Sequence, residues 1–120
     1  MNSEELKATF SVFDFFDDLA DQIHPTNVVK GFWNEPEVMD KYAAKLALVH
    51  SEVTEVLEAL RKSQGKDKVT EEFADILIRV LDLYGELVNT GEADPELYKV
   101  MRNKMEENKN RPPKHGNRWG

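Results

Sequence analysis

The chain has 120 residues, of which 40% are hydrophobic and 32% charged, and a formal net charge of −7. That balance describes one charge-rich folded domain rather than a disordered segment. Its sign argues against a nucleic acid polymer as partner, since nonspecific duplex binding depends on basic contacts to phosphate. Cysteine is absent, which removes disulfides, thiolate metal sites and cysteine nucleophiles. The opening stretch from Met1 to Phe16 has no basic region followed by an apolar run, so no signal peptide is expected. No apolar run approaches the roughly 20 residues that span a bilayer. The expectation is a cytoplasmic protein without a membrane partner.

Ser3 is a candidate cap for a first helix reaching about Ile23, with Leu6, Phe10, Phe13, Phe16, Leu19 and Ile23 recurring at three or four residues. Its phenylalanines suit a core or a dimer interface. His24 and Pro25 should end it, because proline disfavours helix in the residue before it. Val28 to Trp33 is a connector. A second helix is expected from about Pro36, capped by Asn34, to about Lys62, with its main apolar stripe at Leu46, Val49, Val53, Val56, Leu57 and Leu60. Ser63 to Asp67 reads as a loop around Gly65. A third helix follows from about Thr70 to Asn89, with a broad apolar face from Phe73 to Val88 and a stop at Gly91. Asp94, Pro95 and Glu96 supply a cap, a proline at the first helical position and an early acid for a fourth helix, which fades near Asn108. The tail, residues 111–120, is basic and irregular. The pattern therefore predicts an all-α four-helix bundle over residues 1–110. It is small enough that sharing a core with a second copy would help.

Two acidic couplets stand out: Glu52 with Glu55 on the second helix, and Glu72 with Asp75 on the third. A spacing of three puts both acids of a couplet on one side of a helix. If the helices pack antiparallel with those sides facing, four carboxylates converge. At about 4 Å, like charges repel by about 4 kcal/mol per pair at an effective dielectric near 20. Such a cluster requires protons, basic partners or a divalent metal ion. Glu52 borders the apolar stripe of its helix, whereas Glu72 and Asp75 join Arg79, Asp82 and Glu86 in a nearly continuous polar face. A solvated charged face and a metal site both fit this spacing.

The segment from Lys45 to Leu60 (KLALVHSEVTEVLEAL) resembles the first metal-binding helix of MazG-like nucleotide pyrophosphohydrolases, and that from Thr70 to Leu83 (TEEFADILIRVLDL) resembles the second. The family pattern, ExxE then ExxD, falls on Glu52, Glu55, Glu72 and Asp75. The stretch from Lys104 through Asn108 to Gly116 is similar to the end of the short, single-domain branch. With Lys30 to Trp33, the likeness covers roughly residues 28–118. Many relatives carry two adjacent acids where this chain has Ser51 and Glu52, which leaves the number of metal ions open.

The resemblance implies an all-α fold; completion as a homodimer or homotetramer is expected because four helices with several broad apolar faces leave surface to cover. It implies a Mg²⁺-dependent activity, with Mn²⁺ as a substitute, that converts a nucleoside triphosphate and water to the monophosphate and pyrophosphate. Glu52, Glu55, Glu72 and Asp75 would hold the metal, and Glu55 would orient or deprotonate the attacking water. Lys104 and Asn108 would meet the polyphosphate and sugar. Arg79 either clamps a phosphate or pairs with Asp75. Lys114, with His115 and Arg118, suits a basic lid. In the connector, Lys30 and Trp33 are candidates for the nucleotide, Trp33 stacking on the base while Phe32 fills the core. His24 and His50 lack metal-ligand partners at useful spacing. Two further readings are a non-catalytic oligomeric adaptor and a hydrolase of another phosphorylated compound, such as a phosphoribosyl-nucleotide.

Overall fold

The computed structural model describes residues 15–34 and 38–113. These residues form four helices, and no strand occurs among them: α1 (Phe15–Val29), α2 (Val38–Arg61), α3 (Lys66–Asn89) and α4 (Leu97–Lys109). The chain divides into two compact units, one spanning Asp18–Ala93 and the other combining Met1–Asp17 with Asp94–Gly120. The first holds α1 from Asp18 onward together with α2 and α3. No helix among the described residues is long and apolar enough to cross a membrane.

Within the first unit, α2 and α3 pack against one another and are joined by a tight turn. The turn closes α2 with a Schellman cap: Gln64 N–H donates to the Ala59 carbonyl at 3.0 Å and Ser63 N–H to that of Leu60 at 3.2 Å, with Ser63 in the left-handed region at φ 51°. α3 then starts at once, at Lys66 rather than Thr70, since the Gly65 carbonyl already accepts from Val69 N–H at 3.1 Å. Lys66, Asp67 and Lys68 are charged without being helix breakers, and Asp67 suits the positive end of the helix dipole. So short a turn makes α2 and α3 an antiparallel hairpin.

α1 also departs from expectation, running through Pro25 to Val29. Pro25 removes one N–H from the ladder. The turn beyond it is held by Thr26 Oγ1 donating to the Gln22 carbonyl at 3.1 Å and by the anchoring of His24 to α3. A second Schellman cap ends the helix: Phe32 N–H donates to the Asn27 carbonyl at 3.0 Å, Gly31 N–H to that of Val28 at 3.1 Å, and Gly31 takes φ 86°, a conformation glycine adopts without strain. α1 approaches α3 closely at Gly85, where an added Cβ would stand 3.1 Å from Cβ of His24. Trp33, Tyr42 and Leu83 form a buried cluster with Leu87 against it.

In the second unit, α4 begins at Leu97, later than the Asp94-Pro95-Glu96 signal suggests. Glu96 sits before it at φ 71°, donating its N–H to Asp17 Oδ2 at 2.6 Å. Phe16 packs on Tyr98, ring centroids 5.9 Å apart. Phe10 and Phe13, the Pro36 helix start and the tail beyond Pro113 lie outside the described residues.

Candidate metal and phosphate site

The hairpin brings three of the four couplet acids together. Glu52 on α2 and Glu72 and Asp75 on α3 each offer an oxygen within 4.8 Å of the others. Glu55, one turn beyond Glu52, is exposed and stands outside this trio. At that separation each pair of charges repels by at least about 3 kcal/mol at an effective dielectric near 20. The protein offsets this with cations. Lys68 Nζ lies 2.9 Å from Glu72 Oε1, and Arg79 Nε donates to Glu52 Oε1 at 2.9 Å. Arg79 thus pairs across the hairpin with Glu52, rather than along its own helix with Asp75. The pKa of Lys68 is raised above 10.5, first by its hydrogen bond to Glu72, then by the charges of Glu72 and Glu71.

Glu52, Asp75 and Arg79 open onto a cleft of about 450 Å³ also lined by Asn27, Phe32, Lys45, Leu48, Ile78 and Asp82. This volume lies within the usual range for small-molecule sites. The donor set fits Mg²⁺: all the ligating atoms are hard carboxylate oxygens, and the open side leaves room for water and phosphate oxygens. That an ammonium and a guanidinium already sit against two of these oxygens shows that the cluster attracts positive charge.

The structure reverses the expected burial of the two connector aromatics. Trp33 is buried, its Nε1 donating to both oxygens of Asp82 (3.0 and 3.1 Å) and its ring covered by Lys45 Nζ at 4.7 Å from the centroid. Phe32 instead lines the cleft and is 52% exposed. The bonds to Asp82 hold Trp33 inside, just past the left-handed turn at Gly31. Lys30 is exposed in the cap of α1 and is not part of the cleft wall. Lys104 and Asn108 are exposed on α4, in the other unit, with Lys104 3.2 Å from Glu107. Lys114 lies outside the described residues.

Sequence reasoning missed a buried network beside the cleft. His24, 4% exposed, has Nδ1 2.7 Å from Asp82 Oδ1 and Nε2 2.9 Å from Glu86 Oε1, while Asn27 Nδ2 donates to Asp82 Oδ2 at 2.9 Å. Each ring nitrogen of His24 thus faces a carboxylate oxygen on α3, one of Asp82 and one of Glu86. No buried side-chain polar atom among the described residues lacks a hydrogen bond. His24 and Asp82 are 58 positions apart, so no local spacing announces the pair. Lys68 was detectable, standing four residues before Glu72 on one helix face. No family model matches the chain, and neither does any curated protein or solved structure.

Proposed function

We propose that this protein is a Mg²⁺-dependent nucleoside triphosphate pyrophosphohydrolase that converts ribo- or deoxynucleoside triphosphates and water to monophosphates and pyrophosphate, maintaining the nucleotide pool. One observation carries the reading: carboxylates from two helices share a single spot in the wall of a cleft that also presents Arg79 and Lys45. In this reading Glu52, Glu72 and Asp75 hold the metal. Bound Mg²⁺ supplies an acidified water and charge neutralisation for a departing pyrophosphate. Arg79 attracts and orients the polyphosphate. Glu55, exposed next to the trio, accepts the proton of the water that attacks the α-phosphorus. Trp33 supports the cleft from beneath. The active form is a homodimer or homotetramer.

The test is a panel of nucleoside triphosphates incubated with Mg²⁺ or Mn²⁺ and scored for products. The expected result is monophosphate plus pyrophosphate, reduced at least about 100-fold by Glu55→Gln and by Asp75→Asn, in line with the loss of a general base or a ligand. Release of orthophosphate, or full activity in both variants, would contradict the assignment. An adaptor would release no pyrophosphate.

A further inference from the structure

The phosphate chemistry engages one end of the cleft only. Along α3, Asp82 stands seven residues beyond Asp75, and along the antiparallel α2, Lys45 stands seven before Glu52. At 1.5 Å per residue each step is about 10 Å, comparable to the reach from the phosphates of a nucleotide to its base. The far end therefore holds Asn27, Phe32, Lys45 and Asp82.

At this end the carboxylate of Asp82 is fully engaged by protein donors: His24 and Trp33 on Oδ1, Asn27 and Trp33 on Oδ2. The consequence falls on Asn27. An amide facing a carboxylate must present its NH₂ group, so its orientation is set. Oδ1 and the second N–H remain, and neither is hydrogen-bonded within the described residues. Phe32 is tied to the same residue, its N–H bonded to the Asn27 carbonyl at 3.0 Å, while Lys45 Nζ donates to the Phe32 carbonyl. Three apolar side chains line the cleft yet remain open to solvent: Phe32 at 52%, Ile78 at 45% and Leu48 at 38%. A flat ring would cover them.

We propose that this end of the cleft is a nucleobase subsite. Phe32, Leu48 and Ile78 contact the faces of a flat heterocycle, and Asn27 reads an adjacent donor and acceptor on its edge. Asp82 is a positioning residue, holding the Asn27 amide in one orientation through the network that includes His24 and Trp33. The subsite rests on the nucleotide reading of the acidic end.

Calorimetric binding in Mg²⁺ separates the two. The ligands are α,β-imido nucleoside triphosphates and inorganic tripolyphosphate, which shares the phosphates and lacks a base. Wild type binds the nucleotides at least about tenfold more tightly. Phe32→Ala and Asn27→Ala each weaken nucleotide binding by about tenfold, the worth of one stacked base or one well-made edge contact. Both leave tripolyphosphate binding within about twofold, the fold-change expected of a residue whose worth lies in the base alone. Asn27→Ala also narrows the differences between bases. Phe32 is exposed and Asn27 half-buried. Because Asn27→Ala takes a donor from Asp82, its melting temperature falls, and an unchanged helical circular-dichroism spectrum at the assay temperature confirms the fold of both variants. Equal weakening of both ligands, or no weakening of either, overturns the base subsite and leaves the metal and phosphate assignment standing. A wild type that binds neither ligand overturns both.

Discussion

Glu72 is 5% exposed and lies beside two other carboxylates, its negative charge offset in the protein by Lys68. A neutral isostere at this position separates stability from metal binding. In the metal-free protein, Glu72→Gln removes repulsion from Glu52 and Asp75 and retains an oxygen to accept from Lys68, so its melting temperature should not fall. In wild type, Mg²⁺ at a hundred times its Kd should add about 2.7 kcal/mol, on the order of 10 °C for a chain of this size. Glu72→Gln should lose most of that increment. Differential scanning fluorimetry across a Mg²⁺ series reads both effects, and an increment of wild-type size in the variant rules Glu72 out as a ligand. The Lys68 contact has its own pH signature. A lysine whose pKa is raised on folding contributes stability that is complete at neutral pH and is lost as pH rises above 10.5. Because this side chain is exposed, the loss is small and weakens further with salt.

At the scale of elements, three helix C-termini among the described residues are closed by left-handed residues that differ in chemistry. Gly31 and Gly91 occupy two of them, and Ser63, at φ 51°, the third. A side chain there costs about 1 kcal/mol relative to glycine, so Ser63→Gly should stabilise the protein by about 0.5–1 kcal/mol in urea unfolding; a loss of stability would mean that the Ser63 hydroxyl matters more than its backbone. The hairpin itself was legible in the sequence, because α2 and α3 have strong helical periodicity and their couplets share one register. The passage of α1 through Pro25 was not legible. A local penalty of about 3 kcal/mol is outweighed by contacts of His24 with residues some 60 positions away, which leave no mark on neighbouring sequence. The start of α3 at Lys66 was hidden for a simpler reason, since Gly65 looks like the centre of a loop yet its carbonyl opens the helix. Phe32 and Trp33 are equally aromatic and adjacent, and the bonds of Trp33 Nε1 to Asp82, 49 positions away, hold Trp33 inside while Phe32 lines the cleft.

At the scale of the molecule, the hairpin has an apolar face that stays exposed among the described residues. Leu46, Val53, Leu57 and Leu60 on α2 are each more than half exposed, as are Phe73 and Leu77 on α3, with Val80 at 36%. On each helix these positions fall within a narrow sector at about 100° per residue, set to one side of the inward-facing Val56, Ala59, Glu72 and Leu83. In an antiparallel pair the two sectors point the same way, so they form a continuous apolar strip of a kind that soluble monomers rarely expose. A second hairpin laid on the strip would complete a four-helix bundle with two-fold symmetry. The expected outcome is a dimer by light scattering, with a melting temperature that rises with protein concentration. Because each copy carries a net charge of −7, association should tighten as salt screens the mutual repulsion. Replacing Leu57 and Leu77 together with lysine places two charges in the strip and should give a monomer that unfolds at lower temperature. A wild type that stays monomeric at high concentration, or a double variant that stays dimeric, would show that the strip serves some other contact.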